Sequence, residues 1–256
     1  MSTTLVFHAK GSSFTADLAA GGGVGVQFNS GKISTASGGI SGTVWDLTDT
    51  SGVKFLSYPG AYNTQNSRAW SVLFRIAPGY TGTPAGSRAF GCLTAGVGAT
   101  SAYFEWRHDI TTANLTMASK NETSATYTTA SFGTWSPTSG TFYDVVFVGD
   151  GTTTANNVKC YVDASAIGSG LTPTTALTSS WANTWFKSIC IGSSPNTTAS
   201  AFKLDEFAIW DGVIDPTSVA LTSGTGSLNG ASRSALLAVT AFGGPFTGSR
   251  GRWVNK

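Results

Sequence analysis

Apolar residues recur at every second position in short runs, and clusters of Gly, Ser, Thr and Asn separate the runs. Trp70, Val72, Phe74 and Ile76 alternate with Ser71, Leu73 and Arg75, the period of a strand with one buried face. Residues 5–8 read as a first strand, and residues 24–28 with Ile33 follow a Gly-rich turn at Gly21 to Gly23. Residues 102–107, 114–117 and 125–128 read as a meander, while 142–148 is apolar on both faces, as expected of a central strand. Residues 158–162 run into 163–165 and 166–168 with the spacing of a hairpin. A strand over 185–192 precedes a last one over 202–210. Beyond it, residues 211–220 read as a tight turn and a short helix. Asp215 is its expected N-cap, and Pro216 lies in the first turn, where a missing N–H costs nothing. No helix longer than about three turns and no internal repeat is visible.

Composition sharpens this picture in two ways. The 256 residues include 41% hydrophobic residues and 32 glycines but only 11% charged residues, against roughly 25% in an average soluble domain. Thr, Ser, Asn and Gly must therefore cover the surface, which suits a Thr-rich β-protein and equally one partly buried by neighbours in an assembly. The net charge of +2 is too small to argue for nucleic acid as a partner. From Pro216 onward there is no acid, while Arg233, Arg250, Arg252 and Lys256 supply four bases. The three cysteines, Cys92, Cys160 and Cys190, lie in or beside apolar stretches without C-x-x-C spacing. They are expected as buried reduced thiols rather than a disulfide frame or a zinc site.

The stretch Phe202-Lys-Leu-Asp-Glu-Phe-Ala-Ile-Trp210, with the turn and helix after it, resembles the closing signature of laminin-G-like, concanavalin A-like jelly-roll domains. Residues 5–8 with 13–17 look like that family's opening strand and acidic turn, and 70–76 is similar to its core strand. Gly133-Thr-Trp135, residues 143–148, Gly149-Asp-Gly151 and Tyr161-Val-Asp163 follow the family's order, although Ala164 stands where a turn Gly is usual and no His follows Tyr143. The resemblance covers roughly residues 5 to 222. It implies an all-β, antiparallel jelly-roll β-sandwich over 1–222 with a C-terminal extension over 223–256. Within that extension Ser223 to Gly230 reads as a linker by composition, 235–242 is apolar enough to need a cover, and 243–253 ends with Trp253 beside bases.

Related sandwiches include glucanases, so glycosidase chemistry is the first to weigh. It needs two carboxyls about 5–9 Å apart. The only glutamates are Glu105, Glu122 and Glu206, none in an E-x-D-x-E motif. Asp205 and Glu206 are neighbours on one strand and are expected on opposite faces. With His8 and His108 as the only histidines and no G-x-S-x-G elbow, the expectation is a protein that is not an enzyme. No cofactor is expected beyond calcium, which relatives of this type often hold in rim loops; Asp150, Asp205 and Asp211 are the candidates, although turn Asp residues commonly serve local hydrogen bonding instead. Trp70, Trp106 and Trp210 are expected in the core; Trp181 and Trp185 are the candidates for a loop contact with a glycan, ranked behind core or inter-subunit packing.

The opening residues contain no basic segment followed by a long apolar run, so no signal peptide, no membrane partner and synthesis in a host cytoplasm are expected. Together these features point to a non-enzymatic virion structural protein, a bacteriophage capsid decoration or tail/fibre component. Such a protein would adhere to other virion proteins and to its own copies as a homo-oligomer, with Phe242, Phe246, Arg250, Arg252 and Trp253 docking. The alternative is a lectin-like, carbohydrate-binding module for a surface glycan; a glycoside hydrolase comes third.

Overall fold

The computed structural model describes residues 4–11, 18–19, 26–28, 33–40, 42–51, 55–59, 69–94, 103–120, 128–150, 156–172, 188–192, 199–216, 227–228 and 231–232. The strands in chain order are β1 (Thr4–Lys10), β2 (Leu18–Ala19), β3 (Val26–Phe28), β4 (Ser34–Ser37), β5 (Thr43–Asp46), β6 (Phe55–Pro59), β7 (Trp70–Pro78), β8 (Arg88–Thr94) and β9 (Tyr103–His108). They continue with β10 (Asn114–Lys120), β11 (Thr128–Thr134), β12 (Tyr143–Gly149), β13 (Val158–Val162), β14 (Ser165–Ala166), β15 (Ser188–Gly192), β16 (Phe202–Asp211), β17 (Ser227–Leu228) and β18 (Ala231–Ser232).

Two antiparallel sheets form a sandwich. The larger runs β14-β13-β12-β7-β16-β1-β2, with β5, which carries β4, also joined to β16; the smaller runs β11-β10-β9-β8-β15-β6-β3. The all-β jelly-roll expectation therefore holds. β16 lies between β1 and β7, so the first strand and the last long strand of the sandwich are neighbours. β7, β12 and β16 are rich in Val, Ile, Leu and aromatics and are covered on both sides, which makes them the centre of the larger sheet.

Phe74 of β7 shows how the sheets lock together. Its ring centroid lies 4.9 Å from Phe207 in the same sheet and 5.7 and 5.8 Å from Trp106 and Phe90 in the facing one. Trp70 and Trp106 lie in this inter-sheet core, as expected. Trp210 is equally buried, but it belongs to a second apolar cluster with Leu5, Leu73, Val146, Val148 and Ala208 on the other face of the larger sheet.

Three local features depart from the alternation. The pairing of β16 with β7 shifts register between Leu204 and Glu206. Leu204 and Phe207 both enter the inter-sheet core, so the two residues between them both turn to the outer face. The expectation that Asp205 and Glu206 point to opposite faces is thus corrected by a bulge. The last meander strand, expected over 125–128, is described over Thr128–Thr134, and its Phe132 reaches the core; residues 125–127 lie outside the described residues. β8 breaks the period at Gly91, where a Cβ would come within 2.7 Å of the Cys190 carbonyl oxygen of β15; only glycine allows that approach.

The hairpin expected after residue 162 is present, with Val162 opposite Ser165. Its two-residue turn places Asp163 at φ 47° and Ala164 at φ 66°, the left-handed pair that a type I′ turn demands. Ser227–Leu228, in the segment read as a linker, pairs with Ala231–Ser232 just beyond it. The short helix expected after Pro216 falls outside the described residues.

Candidate functional site

The outer face of the larger sheet carries a groove of about 270 Å³, with Val148, Tyr161, Val213, Ile214 and Pro216 as its apolar lining and Asp150, Asn157, Lys159 and Asp215 as polar groups. Each wall has a local cause. Along β13, Val158, Cys160 and Val162 enter the core, so Lys159 and Tyr161 project outward. Asp150 directly follows the last residue of β12. The third wall is the turn after β16, pinned through one buried hydroxyl. The Ser71 Oγ–H donates to the Gly212 carbonyl at 2.8 Å, and the Ile214 N–H donates to Ser71 Oγ at 2.9 Å. The Gly212 N–H donates to the Ala69 carbonyl at 2.9 Å. Ile214 then packs on the Trp210 cluster. Its described lining carries two carboxylates, Asp150 and Asp215, and one ammonium, Lys159.

A buried polar network occupies the same face farther along β7. The Arg75 guanidinium donates to Asp205 at 3.0 Å and to Asp144 at 3.1 Å, and both carboxylates are fully buried. Asp205 also accepts the Ile40 N–H at 2.8 Å. That contact brings the β4–β5 turn down so tightly that a Cβ on Gly39, at φ 67°, would overlap the carboxylate. Glu206 is bonded to His8 at 2.8 Å. Asp163, across the β13–β14 turn, accepts the Asp144 N–H at 2.9 Å. Burial raises its pKa and the nearby Asp144 charge adds to that, against the lowering effect of this hydrogen bond and of Arg75. Asp205 and Glu206 thus share a face, yet each carboxylate is committed to a cation or imidazole and is closed off from solvent.

The second histidine is also structural. His108 Nε2–H donates to the Ala113 carbonyl at 3.0 Å, leaving Nδ1 to accept from the Tyr80 hydroxyl at 2.9 Å. Burial lowers the His108 pKa, and it pushes the Tyr80 phenol well up despite Arg88 nearby.

Of the residues singled out from the sequence, Asp150 lines the groove, and Asp205 lies in the ionic network. The backbone of Asp211 is opposite Trp70, as is that of Gly149 beside Asp150. Asp205, near Arg75, is therefore most of a strand length from the other two calcium candidates. Among the described residues no three His, Cys, Asp or Glu side chains converge as a metal-holding group. Trp181, Trp185, Phe242, Phe246, Arg250, Arg252 and Trp253 lie outside the described residues. Asn157, Lys159 and Tyr161 were not among the expected binding residues, Tyr161 having been named only for the family resemblance; for Lys159 and Tyr161 the outward positions of β13 were the available signal.

Residues 48–220, about two thirds of the chain, match the family model for the concanavalin A-like lectin/glucanases superfamily. No curated protein matches in sequence. Among solved structures, the chain is similar to domain 4 of AbnA, a GH43 extracellular arabinanase from Geobacillus stearothermophilus, in complex with arabinotriose. The TM-score is 0.60 at 17% identity, covering 87% of this chain and 98% of that one. It is also similar to the binding domain of botulinum neurotoxin DC in complex with rat synaptotagmin II, with a TM-score of 0.52 at 12% identity, covering 86% of this chain and 50% of that one. A structure of botulinum neurotoxin type C, whose cell entry depends on two ganglioside molecules, gives a TM-score of 0.52 at 12% identity over 85% of this chain and 50% of that one. At these identities the structural likeness speaks for the fold alone. With the sandwich and the family match in agreement, the chain belongs to the concanavalin A-like lectin/glucanase superfamily.

Proposed function

We propose that this protein is a non-catalytic carbohydrate-binding module whose groove between β13 and the turn after β16 takes a neutral saccharide. The groove carries the reading: an outward aromatic, Tyr161, beside apolar side chains, with an amide, carboxylates and an ammonium around them. Sugar recognition needs that combination, an aromatic or apolar face for the C–H surface of the ring and polar groups for its hydroxyls. Its volume, about 270 Å³, lies just below the roughly 300–1,000 Å³ usual for ligand clefts and suits one or two sugar units. Among the described lining residues Lys159 is the one base, a poor match for sialylated or sulfated glycans. The arabinanase domain bound to arabinotriose, a neutral oligosaccharide, is consistent with this direction. Asp205 and Glu206, buried and paired, are closed to a substrate in the groove.

The test is a glycan array probed with the full chain and with Tyr161→Ala, in calcium and in chelator, since Asp150 at the groove is a calcium candidate. Retention of neutral glycans that is lost in the variant, with an unchanged circular dichroism spectrum, supports the reading. Retention of no neutral glycan, or equal retention by the variant, overturns it.

Virion adhesion through Phe242, Phe246, Arg250, Arg252 and Trp253, with homo-oligomer formation, stands second. It draws on the low charge and the C-terminal composition alone, and neither the groove nor the comparisons add to it. A chain ending at Thr222 that loses co-sedimentation with phage shells would restore it to first place.

A further inference from the structure

Cys92 of β8 and Cys190 of β15 are direct partners across an antiparallel ladder. Leu93, Ile189 and Ile191 enter the inter-sheet core, so both thiols project from the outer face of the smaller sheet. There they form a two-residue cluster of their own. They stand in a row with Ser57, opposite Cys190 on β6, and Glu105, opposite Cys92 on β9. The row is buried, with Cys92 at 1% and Cys190 at 2% exposure. The two thiols hydrogen-bond one another, and that bond, burial and the Glu105 charge together hold the Cys92 pKa well above the thiol range. Cys160, by contrast, is alone in the inter-sheet core.

We propose that Cys92 and Cys190 are a built-in redox pair that closes to a cross-strand disulfide when the chain meets an oxidised thiol. Directly opposed residues in an antiparallel sheet have Cα atoms about 4.5 or 5.5 Å apart, depending on the type of pair. Both spacings fall within the roughly 4.4–6.8 Å that a disulfide spans. The oxidant is a small-molecule disulfide such as oxidised glutathione. One cysteine loses its proton and attacks that disulfide, releasing one glutathione thiol and leaving a mixed disulfide. The second cysteine, deprotonated in turn, displaces the other glutathione, so that two protein thiols become one disulfide while one glutathione disulfide becomes two thiols. With both thiols buried and that of Cys92 held protonated, the pair is a slow nucleophile in the folded chain. Oxidation is therefore expected during folding, before the outer face is covered. Once closed, the bond joins strands at opposite ends of a loop on the order of 100 residues, and a disulfide restricts the unfolded chain more the longer the loop it closes.

The experiment unfolds the full chain in urea, refolds it in an oxidising glutathione buffer, blocks free thiols by alkylation and maps the peptides by mass spectrometry. The expected product links the Cys92 and Cys190 peptides with loss of two hydrogens and leaves Cys160 alkylated. The thermal midpoint should rise by roughly 5–10 °C over the reduced chain and fall back on treatment with dithiothreitol. Cys160→Ser should keep both the link and the shift, and Cys92→Ser should lose both. Recovery of three free thiols, a stable glutathione adduct on either cysteine, or a link that includes Cys160 would each overturn the proposal.

Discussion

Nε2 of His8 lies 2.8 Å from Oε1 of Glu206, and both side chains are fully buried. The two are not opposite one another: His8 faces Ala208 and Glu206 faces Lys10, so the bond crosses the β1–β16 ladder diagonally, within reach of long side chains. It ties the first strand of the sandwich to its last long one on a face that the β16 bulge has reshaped. Glu206→Ala leaves the buried imidazole without this hydrogen-bond partner and should cost about 1–3 kcal/mol. Glu206→Gln, which keeps an oxygen acceptor, should cost less. Urea midpoints of the three proteins measure both.

Arg75 joins β12 to β16 through two buried carboxylates, Asp144 and Asp205. Arg75→Met should destabilise the fold by about 3–5 kcal/mol, because two buried charges lose their common partner. Arg75→Lys should recover only part of the loss, since a single ammonium cannot present the guanidinium's separated donors to both carboxylates. Thermal melts of the two variants give the order.

Asp163 and Ala164 form a type I′ turn with an Ala where the backbone favours Gly. Combining Asp163→Asn with Ala164→Gly should stabilise the protein by about 1–2 kcal/mol at neutral pH. The amide introduced by Asp163→Asn would keep an acceptor for the Asp144 N–H while removing a charge that burial disfavours. The folded pKa of Asp163 is raised, so its ionisation penalises the fold above that pKa. The penalty fades as pH falls through the folded value and is gone below the unfolded one. The advantage of Asp163→Asn over wild type should therefore shrink on acidification, which unfolding midpoints at neutral and acid pH will show.

His108 gives the opposite slope. Its folded pKa is lowered from the ordinary 6.5 by burial, so the unfolded chain binds the proton more readily. Its contribution to stability is complete above 6.5 and is lost as pH falls from there through the folded value. Asp109 beside it is pushed up by burial but held below 3.8 overall by the Thr111 and Thr112 N–H groups, Arg107 and Ser87, so it acts in a separate, more acid window. His108→Gln should flatten the loss of stability just below pH 6.5 and leave the more acid limb in place.

Ser71 is the hinge pin of the groove. Ser71→Ala deprives the Ile214 N–H and the Gly212 carbonyl of their partner, a loss of about 1–3 kcal/mol. The turn that walls the groove should loosen, and glycan retention should fall more than the melting temperature implies. Calorimetric titration with whichever saccharide the array retains separates the two effects.

The alternation of apolar residues by itself determined the strands at the centre of this protein. Trp70, Val72, Phe74 and Ile76 had to share a face because a pleated chain repeats every two residues, and that face became the core. The order of such segments was enough to identify the sandwich class, and the spacing around Asp163 enough to identify its hairpin. The alternation could not show where it is interrupted. Gly91 is required by the approach of Cys190 from a strand far away in sequence. The bulge at Asp205 places two acids on one face, where the period puts them on two. The candidate site follows the same division. Asp150 stood out as a turn acid, but Tyr161, Lys159 and the Ser71-pinned turn become one groove only because β12, β13 and β16 are brought together in the folded sheet. Period-two patterning reports which side of its own strand a residue occupies; which distant residues share that side is decided by strand order and register, and those exist only in the tertiary structure.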